Sequence, residues 1–150
     1  MTEILFYHLT GQTIEQVLPS LLQRSVERGW RVIVQGSSEE RIDALDAHFW
    51  TWRDDAFLPH GAWRDADAPE QPILLTINGG NPNGAMVRFL VEGAGMPDDI
   101  ATYARIVLLF DGEDPDALDA ARARWSQAKA AGHEVTYWRP DERGRWRSQE

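Results

Sequence analysis

The residues that could do chemistry in this chain are four histidines, a glycine-rich turn, and two groups in which aromatic side chains stand among cations. The histidines, His8, His48, His60 and His133, are scattered, and no pair has the i, i+4 helical spacing with a carboxylate that a zinc protease uses. No metal site is read from them. The segment Asn78-Gly79-Gly80-Asn81-Pro82-Asn83-Gly84 follows an apolar run, where a phosphate loop would sit. It lacks the G-x-G-x-x-G spacing and the Walker lysine, and the residues after it suit a strand rather than a helix whose N-terminus could hold an anion. It reads as a surface turn. No serine sits in a G-x-S-x-G elbow, and scattered carboxylates on an acidic chain are ordinarily solvated. The sequence thus offers no catalytic residue and calls for no cofactor.

The two aromatic groups carry more. The first is Leu45-Asp46-Ala47-His48-Phe49-Trp50-Thr51-Trp52, running into Ala56-Phe57-Leu58-Pro59-His60-Gly61. A helix here turns Leu45 and Phe49 inward and leaves Trp50 or Trp52 either covering the next segment, as a minor core, or facing outward with Phe57 and Leu58 as an apolar patch that a monomer has little reason to expose. In the second, Leu118, Arg122, Trp125 and Lys129 share one helix face, with Ala117, Ala121, Arg124 and Ala128 on the neighbouring stripe. A cation, an aromatic and another cation in line suit a cradle for a chain terminus bearing a carboxylate and an apolar side chain. The competing reading makes Trp125 core and the arginines a solvated rim.

The elements that would position these groups follow from periodicity. Glu3 to His8 reads as a strand. Thr13 and Gln16 have capping-box spacing ahead of Ile14, Val17, Leu18, Leu21, Leu22 and Val26, a helix that stops at Gly29 and contains Pro19. Trp30 to Val34 is a strand, and Ser37 with Glu40 offers a second capping box for a helix with Ile42, Leu45 and Phe49 inward. Residues 51–72 read as irregular. Ile73 to Ile77, Met86 to Val91 and Arg105 to Phe110 are strands, with a helical turn around Pro97 to Ala101. Asp114-Pro115 starts a helix that Gly132 ends. Glu134 to Arg139 is the last strand, before a polar tail expected to be mobile. Strands separated by helices require crossovers, so the fold class is α/β with a mostly parallel sheet and helices on its faces. One domain is expected, since 150 residues suffice for one core and no linker divides them.

Composition narrows the function. The absence of cysteine removes disulfides, thiolate nucleophiles and iron–sulfur clusters. Seven tryptophans exceed what one core of this size needs, which favours a binding surface. A net charge of −9 opposes broad contact with nucleic acid, although Arg122, Arg124, Lys129, Arg139, Arg143, Arg145 and Arg147 concentrate positive charge near the C-terminus, where an acidic peptide could be attracted. No apolar run long enough to span a membrane and no leader stand out, so a cytoplasmic location is the expectation.

Taken together, Phe6-Tyr7, Arg31-Val32, Leu45-Asp46 with Trp50, Phe57-Leu58-Pro59-His60 and Arg122-x-Arg124-Trp125 closing at Gly132 resemble the chi subunit of bacterial DNA polymerase III. The resemblance implies a Rossmann-like three-layer fold without a nucleotide and a non-catalytic adaptor with two partners. One is the psi subunit, which links chi to the clamp loader. The other is the acidic C-terminal tip of single-stranded DNA-binding protein. It carries a psi-side role to Trp50 and Phe57 with Leu58, Pro59 and His60, and a tip-binding role to Arg122, with Arg124, Trp125 and Phe110 as companions. Family members can place a lysine one turn before the helix arginine; Leu118 stands there instead, and Lys129 supplies a charge further along. Two other functions remain open on this scaffold, a nucleotide- or phosphate-using enzyme and an adaptor for a repair helicase.

Overall fold

The computed structural model describes residues 2–52, 58–143 and 145–149. Eight strands form one sheet: β1 (Glu3–Leu9), β2 (Val32–Gln35), β3 (His60–Ala62), β4 (Ile73–Thr76), β5 (Val87–Val91), β6 (Arg105–Asp111), β7 (Glu134–Pro140) and β8 (Trp146–Gln149). Their spatial order is β3-β4-β2-β5-β6-β1-β7-β8, and every pairing is parallel except β7 with β8. The inner strands are covered on both faces, which is why β2, β4 and β5 are almost wholly apolar instead of alternating.

Helices α1 (Ile14–Glu27) and α2 (Glu39–Trp50) pack on one face, where Leu18, Leu22, Ile42, Leu45 and Phe49 meet Leu5, Val34, Leu75 and Phe89. Helix α3 (Pro115–Ala130) packs on the other, where Ala121 and Ala128 join Ile4, Phe6 and Leu108. Helix–sheet–helix layering of this kind is the three-layer α/β architecture expected from the sequence.

The capping box opens α1 as its spacing predicts: the Thr13 side chain accepts from the Gln16 N–H, and the Gln16 side chain accepts from the Thr13 N–H. Thr13→Ala should therefore lower stability by about 1 kcal/mol, read from the urea midpoint. Pro19 has no N–H for the Glu15 carbonyl, and His48 of α2 fills the gap, its Nε2 donating to Glu15 O at 2.8 Å. The second N-cap is Ser38, not Ser37: Ser38 Oγ accepts from the Arg41 N–H, while Ser37 Oγ donates to Glu92 O on the β5 side. Arg41 then pairs with Glu15 and Glu92, tying α1 and α2 to the end of β5.

Two further segments depart from the sequence reading. His60–Ala62, inside the stretch expected to be irregular, is a parallel edge strand on β4. It is too short and too small in side chain to show a pattern. Residues 146–149, in the expected polar tail, form β8; the Asp141 carboxylate accepts the N–H groups of Arg143 and Arg145 in the intervening turn.

Candidate protein-binding surfaces

The glycine-rich segment lies at the surface, as a turn there should, and it is also a crossover of the sheet. Strands β4 and β5 flank β2 and run parallel to it, so the chain leaving the carboxyl end of β4 must return to the amino end of β5. Residues 77–86 make that return without a helix, and the asparagines supply the hydrogen bonds a helix would have formed internally. Asn83 Nδ2 donates to Val32 O and Gln71 O, and Asn81 brackets Ala85 through both its amide groups. Beneath the crossover lies Arg88, 0% exposed. Its guanidinium donates to Gln35 Oε1, Asn78 O, Gly80 O and the Tyr103 hydroxyl at 2.6–3.0 Å. The loop thus offers its carbonyls to an internal cation, where a phosphate loop turns N–H groups to an anion. A charged residue amid the otherwise apolar Val87–Val91 strand was the available signal for this arrangement.

Helix α3 leaves the carboxyl end of β6 and returns along β1 and β7. Trp125 points down onto the sheet, edge-on to Phe6 and to Tyr137, with ring centroids at 5.6 Å in both cases. Lys129 stands 5.1 Å above the Trp125 ring. One turn toward the helix start, Arg122 is exposed, and among the described residues it forms no ion pair. Phe110, half-buried, packs edge-on against His8 and Tyr137. Trp125 is thus part core and part floor, so the two readings of this helix describe opposite sides of one ring.

Three residues join this group that helical spacing could not reveal: His8, Tyr137 and Arg139. The parallel register sets Phe6 opposite Tyr137 and His8 opposite Phe110, on the α3 face. His8 Nδ1 lies 2.6 Å from the Tyr137 hydroxyl, and its ring sits where a Cβ on Gly112 would come within 1.9 Å of Nε2. Gly112 is required there by close approach. Burial lowers the His8 pKa from its ordinary value, and the charges of Arg139 and Arg122 lower it further. Burial raises that of Tyr137 against the same two arginines, which keeps the phenol a donor.

Arg124 lies on a different flank of α3 from Arg122 and shares a groove with Phe110. It donates to Ala94 O at 2.8 Å and has its pKa lowered by burial. There it stands between two shallow apolar grooves, one lined by Gly93, Phe110 and Ala120, the other by Met96, Ile100 and His133.

The first aromatic group lies at the far edge of the sheet. Helix α2 ends at Trp50, 55% exposed, whose ring centroid is 4.4 Å from that of His60 at the start of β3. His60 is itself buried and fixed: Nδ1 donates to Leu58 O at 2.6 Å, and Nε2 lies 2.9 Å from the Asp46 carboxylate. Leu58 is core, Pro59 half-buried, and Trp52 packs against the α1–α2 cluster. Phe57 lies outside the described residues. Of the described aromatic residues of this group, then, Trp50 is the one set at the surface, beside a His60 ring that packs edge-on to Phe49.

Among the described residues no group of His, Asp and Glu is arranged to hold a metal ion, and no helix is long and apolar enough to cross a membrane. Fold and surfaces define a three-layer α/β domain whose own chain fills one crevice of the sheet and whose aromatic and cationic side chains are displayed on two separate edges. Comparison with known proteins agrees on where such a domain belongs. The family model for the DNA polymerase III chi subunit, HolC, matches residues 1–136. The chain is 24% identical over 121 residues to a probable DNA polymerase III subunit chi of Rickettsia prowazekii, covering 74% of this chain and 71% of the relative. It is 26% identical over 137 residues to the DNA polymerase III subunit chi of Pseudomonas aeruginosa, covering 89% and 93%. The chain belongs to the DNA polymerase III chi subunit family, and so to the proteins of DNA replication.

Proposed function

We propose that this chain is a non-catalytic, cytoplasmic adaptor of the replicative polymerase, joining the clamp loader, through a psi subunit docked at Trp50, to the acidic C-terminal tip of single-stranded DNA-binding protein held at α3. One observation carries the reading: Arg122 is exposed and, among the described residues, has no ion-pair partner, while it and Arg139 are near enough to act on His8 and Tyr137, in an aromatic cluster with Phe110 and with Trp125, which Lys129 overlies. A terminal carboxylate can pair with the Arg122 guanidinium while the terminal apolar side chain covers the rings. One charge-assisted bond contributes about 1.5–3 kcal/mol, so most of a micromolar affinity must come from apolar burial. Many tips on one coated strand raise the effective concentration enough to offset such weak contacts.

Separation of the two surfaces supports bridging. Trp50 sits beside edge strand β3 and Arg122 lies over β1 and β7, so at least five strand spacings, about 24 Å, divide them, and they occupy opposite faces. Two partners can therefore bind together.

Fluorescence anisotropy of a labelled acidic peptide tests the tip surface: the peptide with a free C-terminal carboxylate should bind in the micromolar range and its C-terminal amide at least tenfold more weakly. Equal affinity would remove the assigned role from Arg122. A pH dependence should accompany it. Burial first and then Arg139 and Arg122 hold His8 below its usual pKa, and a bound anion offsets the arginines' part, so the complex binds a proton at His8 more readily than the free protein does. Affinity should rise as pH falls below about 6.5, and His8→Asn should flatten the profile.

A further inference from the structure

The opposite face of the sheet holds a cleft that neither proposed surface uses. It lies between the last two turns of α1 and strands β1, β6 and β5, and has a volume of about 150 Å³. Its floor is apolar, from Leu5, Leu21, Val87, Phe89 and Val107, and its rim carries Arg24, Arg28, Arg105 and the hydroxyl of Tyr7. From these residues we propose that the cleft binds an organic phosphate monoester whose body is a single planar ring.

Charge selects the anion. In a chain of net charge −9, three guanidiniums converge on one opening, and among the described residues only Arg105 has a carboxylate partner, Glu3 at 3.0 Å. The α1 carboxyl end contributes about half a negative charge, so the rim stays cationic by about one and a half charges. That excess matches a phosphate monoester, which carries about 1.5–2 negative charges near neutral pH, better than a single carboxylate.

The site is also held ready. Trp30 lies between Arg28 and Arg105, each guanidinium carbon 5.2 Å from its ring centroid, which limits the freedom of both side chains before any ligand arrives. Burial raises the Tyr7 pKa while Arg24 and Arg105 oppose it, so the phenol remains protonated and can donate to a phosphate oxygen. A volume of about 150 Å³ is enough for a benzene-sized group, and the apolar floor favours a ring over a bare ion.

Titration of the full 150-residue chain, followed by amide chemical shifts, tests this directly. Phenyl phosphate should shift the amides of Leu21 to Arg28, Tyr7 and Val107, at least tenfold more tightly than inorganic phosphate or benzoate. Arg24→Ala, at an exposed position, should weaken it at least tenfold, Arg24→Lys less, and Arg122→Ala should leave it unchanged whether or not the tip surface is real. Cytidine 5′-monophosphate in a parallel arm separates a nucleotide from a simple aryl phosphate as the source. Shifts confined to α3, equal binding of benzoate, or no effect of Arg24→Ala in a folded variant would each overturn the assignment.

Discussion

Arg88→Ala is expected to lower unfolding stability by about 3–4 kcal/mol, the largest effect of any single substitution considered. The side chain is wholly enclosed, and of its five donor contacts two go to the crossover carbonyls of Asn78 and Gly80, two to Gln35 on β2 and one to the Tyr103 hydroxyl, so it ties crossover, sheet and Tyr103 together. Alanine leaves Gln35 Oε1 and Asn78 O without their Arg88 donor, leaves Gly80 O only the Tyr103 hydroxyl at 3.4 Å, and opens a cavity the size of the lost side chain. Asn78 and Gly80 lie near the surface, where water can repair part of the loss, which keeps the estimate below the sum of three buried orphans. Arg88→Met fills most of the volume and isolates the polar share, expected at about 2 kcal/mol. Both are measured by urea unfolding, with amide exchange of residues 78–84 as a local readout that should accelerate in either variant. A loss under 1 kcal/mol for Arg88→Ala would mean that the crossover holds its shape without the cation.

The second large effect concerns binding. Arg122→Ala should weaken the acidic peptide roughly 10- to 100-fold, the equivalent of one charge-assisted hydrogen bond, whereas Trp50→Ala should leave it within about twofold. A psi subunit should respond the other way, losing affinity with Trp50→Ala and ignoring Arg122→Ala, because a half-exposed tryptophan seated on fixed neighbours has the character of an interface anchor. Peptide binding should also weaken as salt rises from 50 to 500 mM, since the arginines concerned are exposed to screening. Equal losses from both variants on either partner would collapse the two-surface arrangement.

Much of the architecture was legible because its signals are local. Thr13 and Gln16, and Asp114 with Pro115, mark helix starts through bonds that close within one turn. Gly132, at φ 86°, closes α3 for an equally local reason. The second cap shows the limit of such signals: Ser37 has the capping-box partner Glu40 in sequence, yet its hydroxyl is engaged by Glu92 O and Ser38 caps the helix. Strand β3 and strand β8 were not legible, because each exists by pairing with a neighbour and neither has enough apolar alternation to declare itself.

The site residues divide along the same line. Arg122, Trp125 and Lys129 could be grouped from helical spacing, since three or four residues return to the same face whatever the helix packs against. His8, Tyr137 and Arg139 could not, being 129 residues apart at the 2.6 Å contact between the first two. Helical spacing already put Arg124 on a stripe apart from Arg122, and only the family resemblance made it a companion; its bond to Ala94 O holds it on that other flank.

By itself the sequence determined the layered α/β class, the inward faces of α1 and α2, and the face of α3 that carries a cation, an aromatic and a second cation, all consequences of short-range geometry. The tertiary structure alone decided that Arg88 lies under the glycine-rich crossover, that His60 is a pedestal for Trp50, and that three arginines meet at one cleft. Each of these depends on which strands become neighbours and in what register, a choice made by the burial of whole surfaces and not by any residue's adjacent partners.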